Sequence, residues 1–212
     1  MMIMPSNNSS GLVHWLAGKY PGSIGWLQGP GKNCLKEPRE WLPYALDNGK
    51  FMAFQDGRQW DESSFFKMLD RCQLWKFKPI WTLVPDEVGN RVKTLRLWEL
   101  YAPVIARYGW PLAFAVQDGM TVQDVPENAD VVFIGGTTEW KWKHAATFCA
   151  AFPRVHIGRV NTGDRLESAE AMGAESVDGT GFFRDGLDSA RGMQLQNFIA
   201  GHRRHECEPM LP

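Results

Sequence analysis

Cysteine is scarce and scattered: Cys34, Cys72, Cys149 and Cys207 stand far apart in 212 residues and form no CxxC pair. That spacing leaves no metal-binding cluster to expect and implies no disulfide framework. No apolar run approaches the roughly 18 residues that a membrane span requires. The opening segment, MMIMPSNNSSG, lacks a basic stretch followed by an apolar one, so no secretory signal is expected. Neither sign of charge prevails. Lys+Arg 23 against Asp+Glu 24 gives a formal net charge of -1, which excludes a histone-like polycation but leaves room for a local basic face. Together these absences lead us to expect a reduced, soluble protein of the cytoplasm, without metal or cofactor.

What is present suffices for a packed fold. The hydrophobic fraction is 44%, the aromatic fraction 12%, and Trp alone numbers 10. Such a chain buries a core, and its length predicts a single domain over 1–212, with a frayed tail after about residue 202. From Ile80 onward short apolar runs alternate with amphipathic stretches. The runs are Ile80–Val84, Leu112–Val116, Val131–Ile134, Val155–Ile157 and a weaker one ending at Val177. Helix-like stretches fall at roughly 90–108, 121–128, 140–152, 164–173 and 186–201, with Gly109 and Gly173 placed to stop the first and fourth. Earlier, Leu12–Leu16 and Tyr44–Leu46 are predicted strands, and Asp61–Cys72 a helix capped by Asp61. Alternating strands and helices predict a parallel sheet covered by helices. About seven such units suggest an α/β fold of the (β/α)₈ type, trimmed or irregular because such barrels usually need about 250 residues. An open doubly wound sheet is the alternative.

The predicted strands end in polar or glycine clusters: Asp47-Asn48-Gly49, Pro85-Asp86-Glu87, Gln117-Asp118-Gly119, Gly135-Gly136, Gly158-Arg159-Val160-Asn161 and Asp178-Gly179. In a parallel α/β fold these ends share one rim, where barrel active sites are built. Each residue alone has a plain structural role open to it: turn former, helix cap or ion-pair partner. Gly29-Pro30-Gly31-Lys32 lacks phosphate-loop spacing and reads as a loop. His156 lies inside a strand and reads as a satisfied core histidine. Lys141, Lys143, His144 and Arg154 read as a solvated face flanking the rim. Their use as phosphate contacts depends on the rim handling a nucleic acid.

The ordered series Leu46-Asp47-Asn48-Gly49, Pro85-Asp86, Val116-Gln117-Asp118-Gly119, Phe133-Ile134-Gly135-Gly136, His156-Ile157-Gly158-Arg159-Val160-Asn161 and Ser176-Val177-Asp178-Gly179 resembles the tRNA-guanine transglycosylase superfamily. The likeness runs from about residue 44 to 183. It is nearest in kind to the short, phage-type branch that inserts 7-deazaguanines into DNA. The resemblance implies a (β/α)₈-like barrel that exchanges guanine in a nucleic acid for a 7-deazaguanine such as preQ0, through a covalent aspartyl–sugar intermediate. Asp178 matches the family's nucleophile, in a Val-Asp-Gly context. Asp47 matches the general acid/base aspartate, with Asn48 in place of Ser and Lys50 in place of Gly. Asp86 matches the aspartate at the guanine Watson–Crick edge, and Gln117, Gly135 and Gly136 match the rest of the base pocket. Gly158, Arg159, Asn161 and Lys141 are the candidates for sugar or phosphate contacts, and Trp140 or Trp142 for stacking.

The zinc cluster of the tRNA enzymes has no counterpart after Cys149, so DNA is the favoured partner and tRNA the second. Beside the base itself, a homodimer is compatible with this reading, and a phage-encoded protein would work in the host cytoplasm. Two other readings stay open: a hydrolase that releases guanine without replacing it, and a non-catalytic nucleic-acid-binding module.

Overall fold

The computed structural model describes residues 1–8, 10–31, 36–184, 186 and 188–206. Eight short strands pair in parallel: β1 (Met2–Met4), β2 (Trp26–Gln28), β3 (Tyr44–Leu46), β4 (Thr82–Leu83), β5 (Leu112–Val116), β6 (Val131–Ile134), β7 (Val155–Ile157) and β8 (Ser176–Asp178). Their order is β1-β8-β7-β6-β5-β4-β3-β2. The remaining seam, between β1 and β2, is stitched by the bridges Ile3↔Ile24 and Ser6↔Leu27 and by main-chain bonds from Gly25 N to Ile3 O and from Leu27 N to Pro5 O. The sheet therefore closes into a barrel.

Helices α1 (Gly11–Lys19), α2 (Lys50–Gln55), α3 (Glu62–Gln73), α4 (Arg91–Ile105), α5 (Thr138–Ala151), α6 (Gly163–Ala171) and α7 (Ala190–Glu206) wrap it. The set is uneven. Among the described residues no helix joins β2 to β3, and β5 reaches β6 through one short 3₁₀ turn, Val122–Asp124. The trimmed (β/α)₈ expectation holds, and the open-sheet alternative falls.

Closure splits the core in two by the two-residue period of a strand. In β5, Leu112, Phe114 and Val116 join the cluster under the helices, whereas Ala113 and Ala115 join Met4, Leu27, Ala45, Trp81 and Leu83 inside the barrel. Small alanines on β3 and β5 leave room for the bulk of Trp81 and Phe133. That alternation of large and small is how side chains fill so narrow a ring.

Several expectations need correction. Leu12–Leu16 is part of α1, whose buried residues Val13, Leu16 and Ala17 follow helical spacing. Short apolar runs do not distinguish strand from helix. The strands β1 and β2 were not foreseen; each has three residues. In α4 the buried face is Thr94, Trp98, Ala102 and Ile105, while Val92 and Leu100 point to solvent. Elsewhere Asp61 caps α3 by accepting from Ser64 N at 2.9 Å, and Gly109 and Gly173 hold the left-handed conformation expected of them. At the C-terminal end α7 runs on to Glu206, past the expected fraying point. Lys32 and the cysteines at 34 and 207 lie outside the described residues.

Gly179 is required for a steric reason. A Cβ there would fall on the carbonyl oxygen of Val160, well inside contact distance, and beside Asn161 Oδ1 at 3.0 Å. The offending atom is main chain and cannot swing away. Gly179→Ala should therefore destabilise the protein by about 1–3 kcal/mol, measured by denaturant unfolding, whereas Gly173→Ala, in open space, should cost only the left-handed strain.

Candidate active site

All eight strand ends contribute to one cavity of about 730 Å³ at the C-terminal mouth of the barrel. Ser6 and Asn7 follow β1, Gly29 follows β2, Asp47 follows β3 and Asp86 follows β4. Gln117, Gly135, Arg159 and Asn161 follow β5 to β7, and Asp178 ends β8. A volume of this size suits a small ligand or one nucleotide of a longer chain. A second hollow of about 480 Å³, lined by Glu37, Arg39, Trp41 and Lys76, lies where the chain enters β3 and β4 and shares none of these residues.

Asp178 is 6% exposed and accepts from three directions. Its Oδ1 takes the main-chain N–H of Arg159 at 3.1 Å and His156 Nε2 at 3.2 Å; its Oδ2 takes Ser6 Oγ at 3.3 Å. The register explains the meeting: Met4 pairs with Asp178 and His156 with Ser176. Residues two apart on β8 share a face, so Ser176, His156 and Asp178 all point inward.

Asp86 is gripped at both oxygens. Asn48 Nδ2 donates to Oδ1 and Gln117 Nε2 to Oδ2, each at 2.7 Å. Asn48 also donates to Val84 O at 3.0 Å, and Gln117 Oε1 accepts from the N–H groups of Gly89 at 2.9 Å and Gly136 at 3.0 Å. Two fully buried amides thus pin the carboxylate and the loops around it. Burial pushes the Asp86 carboxyl above its usual range, opposed by the Asn48 bond.

Asp47 is half-buried and holds the Gly49 N–H at 2.5 Å across a tight turn. Gly49 sits at φ 79°, and a Cβ there would strike Pro30 Cγ at 2.6 Å, so glycine is needed. Burial raises the Asp47 carboxyl to about 7, the Gly49 bond pulls it back, and the charges of Asp178 and Asp86 raise it further. Asp47 is therefore poised to exchange a proton near neutrality.

Arg159 adopts φ 60°, costly for a residue with a side chain. In return its N–H meets Asp178, its guanidinium donates to Gly136 O, and the same group lies 4.6 Å above the Phe51 ring. Asn161 lines the cavity and accepts from Gly181 N at 2.9 Å. Gly158 has no room for more: a Cβ would meet Phe133 at 2.9 Å and Asp178 Oδ1 at 3.3 Å.

Other placements differ from the reading of the sequence. Lys141 is not on a solvated face at the rim. It is 1% exposed, does not line the cavity, and donates to Gly158 O from the far side of β7. Burial first, then the Arg159 charge, lower it to about 7. It therefore supports the strand and cannot touch a phosphate in this arrangement. Trp140 packs on His144 and Phe148, and Trp142 stacks with Arg165, so neither reaches the cavity; the aromatic rings that do are Phe51, Trp60 and Phe133. The Gly135 and Gly136 N–H groups are engaged internally, by Val116 O and Gln117 Oε1. The contributions of Ser6, Asn7 and His156 were missed. Only the Ser176-x-Asp178 spacing hinted at an inward polar file.

No family model matches the chain, and no curated protein matches it. Solved structures match it in fold. The BexX/CysO complex of Amycolatopsis orientalis aligns at a TM-score of 0.57 and 12% identity, over 99% of this chain and 93% of that one. A 4-hydroxy-2-oxoglutarate/2-dehydro-3-deoxyphosphogluconate aldolase from TTHB1 aligns at 0.55 and 12%, over 94% and 92%. At such identity the likeness is one of fold: the chain is a (β/α)₈ barrel. Among the described residues no group of His, Cys, Asp and Glu is arranged to hold a metal ion, and no helix is long and apolar enough to cross a membrane.

The raised Asp47 carboxyl has a sign that can be checked. A carboxyl protonated in the folded state up to about pH 7 but ionised in the unfolded chain above about pH 4 stabilises the fold fully only at low pH. That stability is lost as pH rises from about 4 to 7. Asp47→Asn should then leave stability near pH 4 unchanged and raise it by about 1–3 kcal/mol at pH 8 relative to the parent. Paired denaturant titrations at the two pH values measure the difference.

Proposed function

We propose that this barrel is a base-exchange transglycosylase, replacing guanine in a nucleic acid with a 7-deazaguanine such as preQ0. The observation that carries the reading is the division of labour among three carboxylates in one cavity. Among the described residues, Asp178 is oriented by three donors, Asp47 is held near neutral pKa with a single donor, and Asp86 is clamped edge-on by two amides. Each environment suits one step of the exchange.

In the first step an Asp178 oxygen attacks C1′, the glycosidic bond breaks, and the sugar becomes an ester of the enzyme. The leaving guanine takes a proton at its ring nitrogen from Asp47. In the second step the incoming base gives a proton back to Asp47 and its ring nitrogen attacks C1′, releasing Asp178. Two inversions preserve the sugar configuration, and the strand is never cut.

Base selection falls to Asp86 and Gln117. The Asn48 and Gln117 bonds use one lone pair on each Asp86 oxygen and leave others for the N1–H and N2–H₂ donors of a guanine-type edge. Because the N–H groups of Gly135 and Gly136 are engaged, the second N–H of the Gln117 amide is the donor we assign to O6. A base without that pattern would strand buried polar groups, an expense of about 1–3 kcal/mol per group. Phe51 and Trp60 supply apolar walls for a base drawn out of its stack. Sugar or phosphate contacts fall to Arg159 and Asn161. DNA is favoured over tRNA on the sequence argument alone.

The test is direct. Labelled preQ0 is incubated with the protein and, separately, duplex DNA, single-stranded DNA and tRNA, and each is digested to nucleosides. Label is expected in DNA; label in tRNA alone would redirect the substrate, and guanine release without incorporation would favour the hydrolase. Without an acceptor base, a covalent adduct should survive denaturing electrophoresis. Asp178→Asn should abolish adduct and exchange, while Asp47→Asn should slow exchange by about 10²–10⁴-fold. If Asp178→Asn still exchanges bases, the mechanism is wrong.

A further inference from the structure

Beneath the cavity floor, inside the barrel, lies a polar file that the three carboxylates do not account for. His156 on β7 is fully buried. Its Nδ1 lies 2.8 Å from Ser176 Oγ and its Nε2 3.2 Å from Asp178 Oδ1. The ring is fixed on its faces as well. Phe133 stacks on it with centroids 4.8 Å apart and planes 25° from parallel, and Trp81 meets it edge-on at 4.9 Å. A histidine held so closely at both nitrogens and beside two aromatic rings has one rotamer available.

We propose that His156, oriented by Ser176, is the positioning residue of Asp178 and selects which of its oxygens reacts. A carboxylate oxygen accepts only, so Nε2 must carry the proton in the bond to Asp178. In the tautomer assigned by this inference Nδ1 is the acceptor, and the Ser176 hydroxyl donates to it. The file reads Ser176 O–H to Nδ1, then Nε2–H to Oδ1, and every dipole in it points at Asp178. Among the described residues, Oδ1 receives this bond and the Arg159 N–H at 3.1 Å, whereas Oδ2 receives only Ser6 Oγ at 3.3 Å. Two donors occupy Oδ1. Oδ2 keeps a free lone pair and is the oxygen that attacks. The small neighbour is part of the device, since a side chain at Gly158 would press on Phe133 and on Oδ1. This inference rests on the nucleophilic role given to Asp178, but its geometric part does not need activity to be tested.

Two measurements separate them. Ring ¹⁵N spectra of the full-length protein, assigned with His156→Gln, should show His156 as the neutral Nε2–H tautomer, shifting towards a tautomer mixture in Ser176→Ala. A proton on Nδ1 in the parent, in the other tautomer or in an imidazolium, would overturn the file whether or not the protein exchanges bases. In the exchange assay, His156→Phe should lower kcat by about 10²-fold with little change in KM for preQ0, because a misaligned nucleophile costs rate without weakening base binding. His156→Gln, whose amide N–H can reach the place of Nε2, should recover most of that loss. Ser176→Ala serves where His156→Phe fails to fold, with a smaller fall in kcat expected. Unchanged kcat in a folded His156→Phe or in Ser176→Ala, or equal losses in the Phe and Gln variants, would overturn the inference. No exchange by the parent would instead overturn the proposed activity and leave the tautomer to decide the geometry.

Discussion

Everything at the mouth of the barrel depends on a three-residue strand. β1 inserts between β8 and β2, and its pairing of Met4 with Asp178 turns an open edge into a closed ring. Closure removes the unpaired main-chain groups that an edge strand exposes. It also fixes the tilt at which eight strand ends converge. Only in that ring do Ser6 from one end of the chain and His156 from the other half reach the same carboxylate. Main-chain bonds join β1 to its neighbours on both sides, and Ile3 under the helices and Met4 inside the barrel add buried apolar surface to the closure.

That dependence also marks the limit of what the residues disclose beforehand. The strands Leu112–Val116 and Val131–Ile134 are legible because their apolar runs are continuous and both faces are covered. β1 and β2 are not, because three residues show no period. The rim residues were legible from one rule, that parallel strands end together, and Asp47, Asp86, Gln117 and Asp178 do share a cavity. Lys141 misled because a charge on a helix usually faces water, and nothing local says that this one turns inward to a carbonyl. His156 reads from the sequence as a core histidine inside a strand, and it is buried there. Its partner at Asp178 is set by the β7–β8 register, a relation across 22 residues of chain that neither segment displays alone.

The site and the strand behind it carry several compromises that a stable barrel does not need. Three carboxylates share a cavity, an arginine holds a left-handed backbone, and a lysine is buried beside another cation. Each costs stability, and each is met by a specific contact: two amides for Asp86, the Gly136 carbonyl and Phe51 for Arg159, the Gly158 carbonyl for Lys141. Such concentrations of strain and desolvated charge gather where a fold does chemistry.

The amide of Gln117 ties together pieces of chain that would otherwise move separately. Through it the Gly89 turn after β4, the Gly136 turn after β6 and the Asp86 carboxylate share a single side chain. Displacing the amide itself would break all three contacts at once, so its placement couples the two turns to the carboxylate. A ligand that engages Asp86 therefore need not touch Gly89 or Gly136 to quiet them. The free energy of holding the ligand and the free energy of ordering that side of the mouth become one coupled quantity.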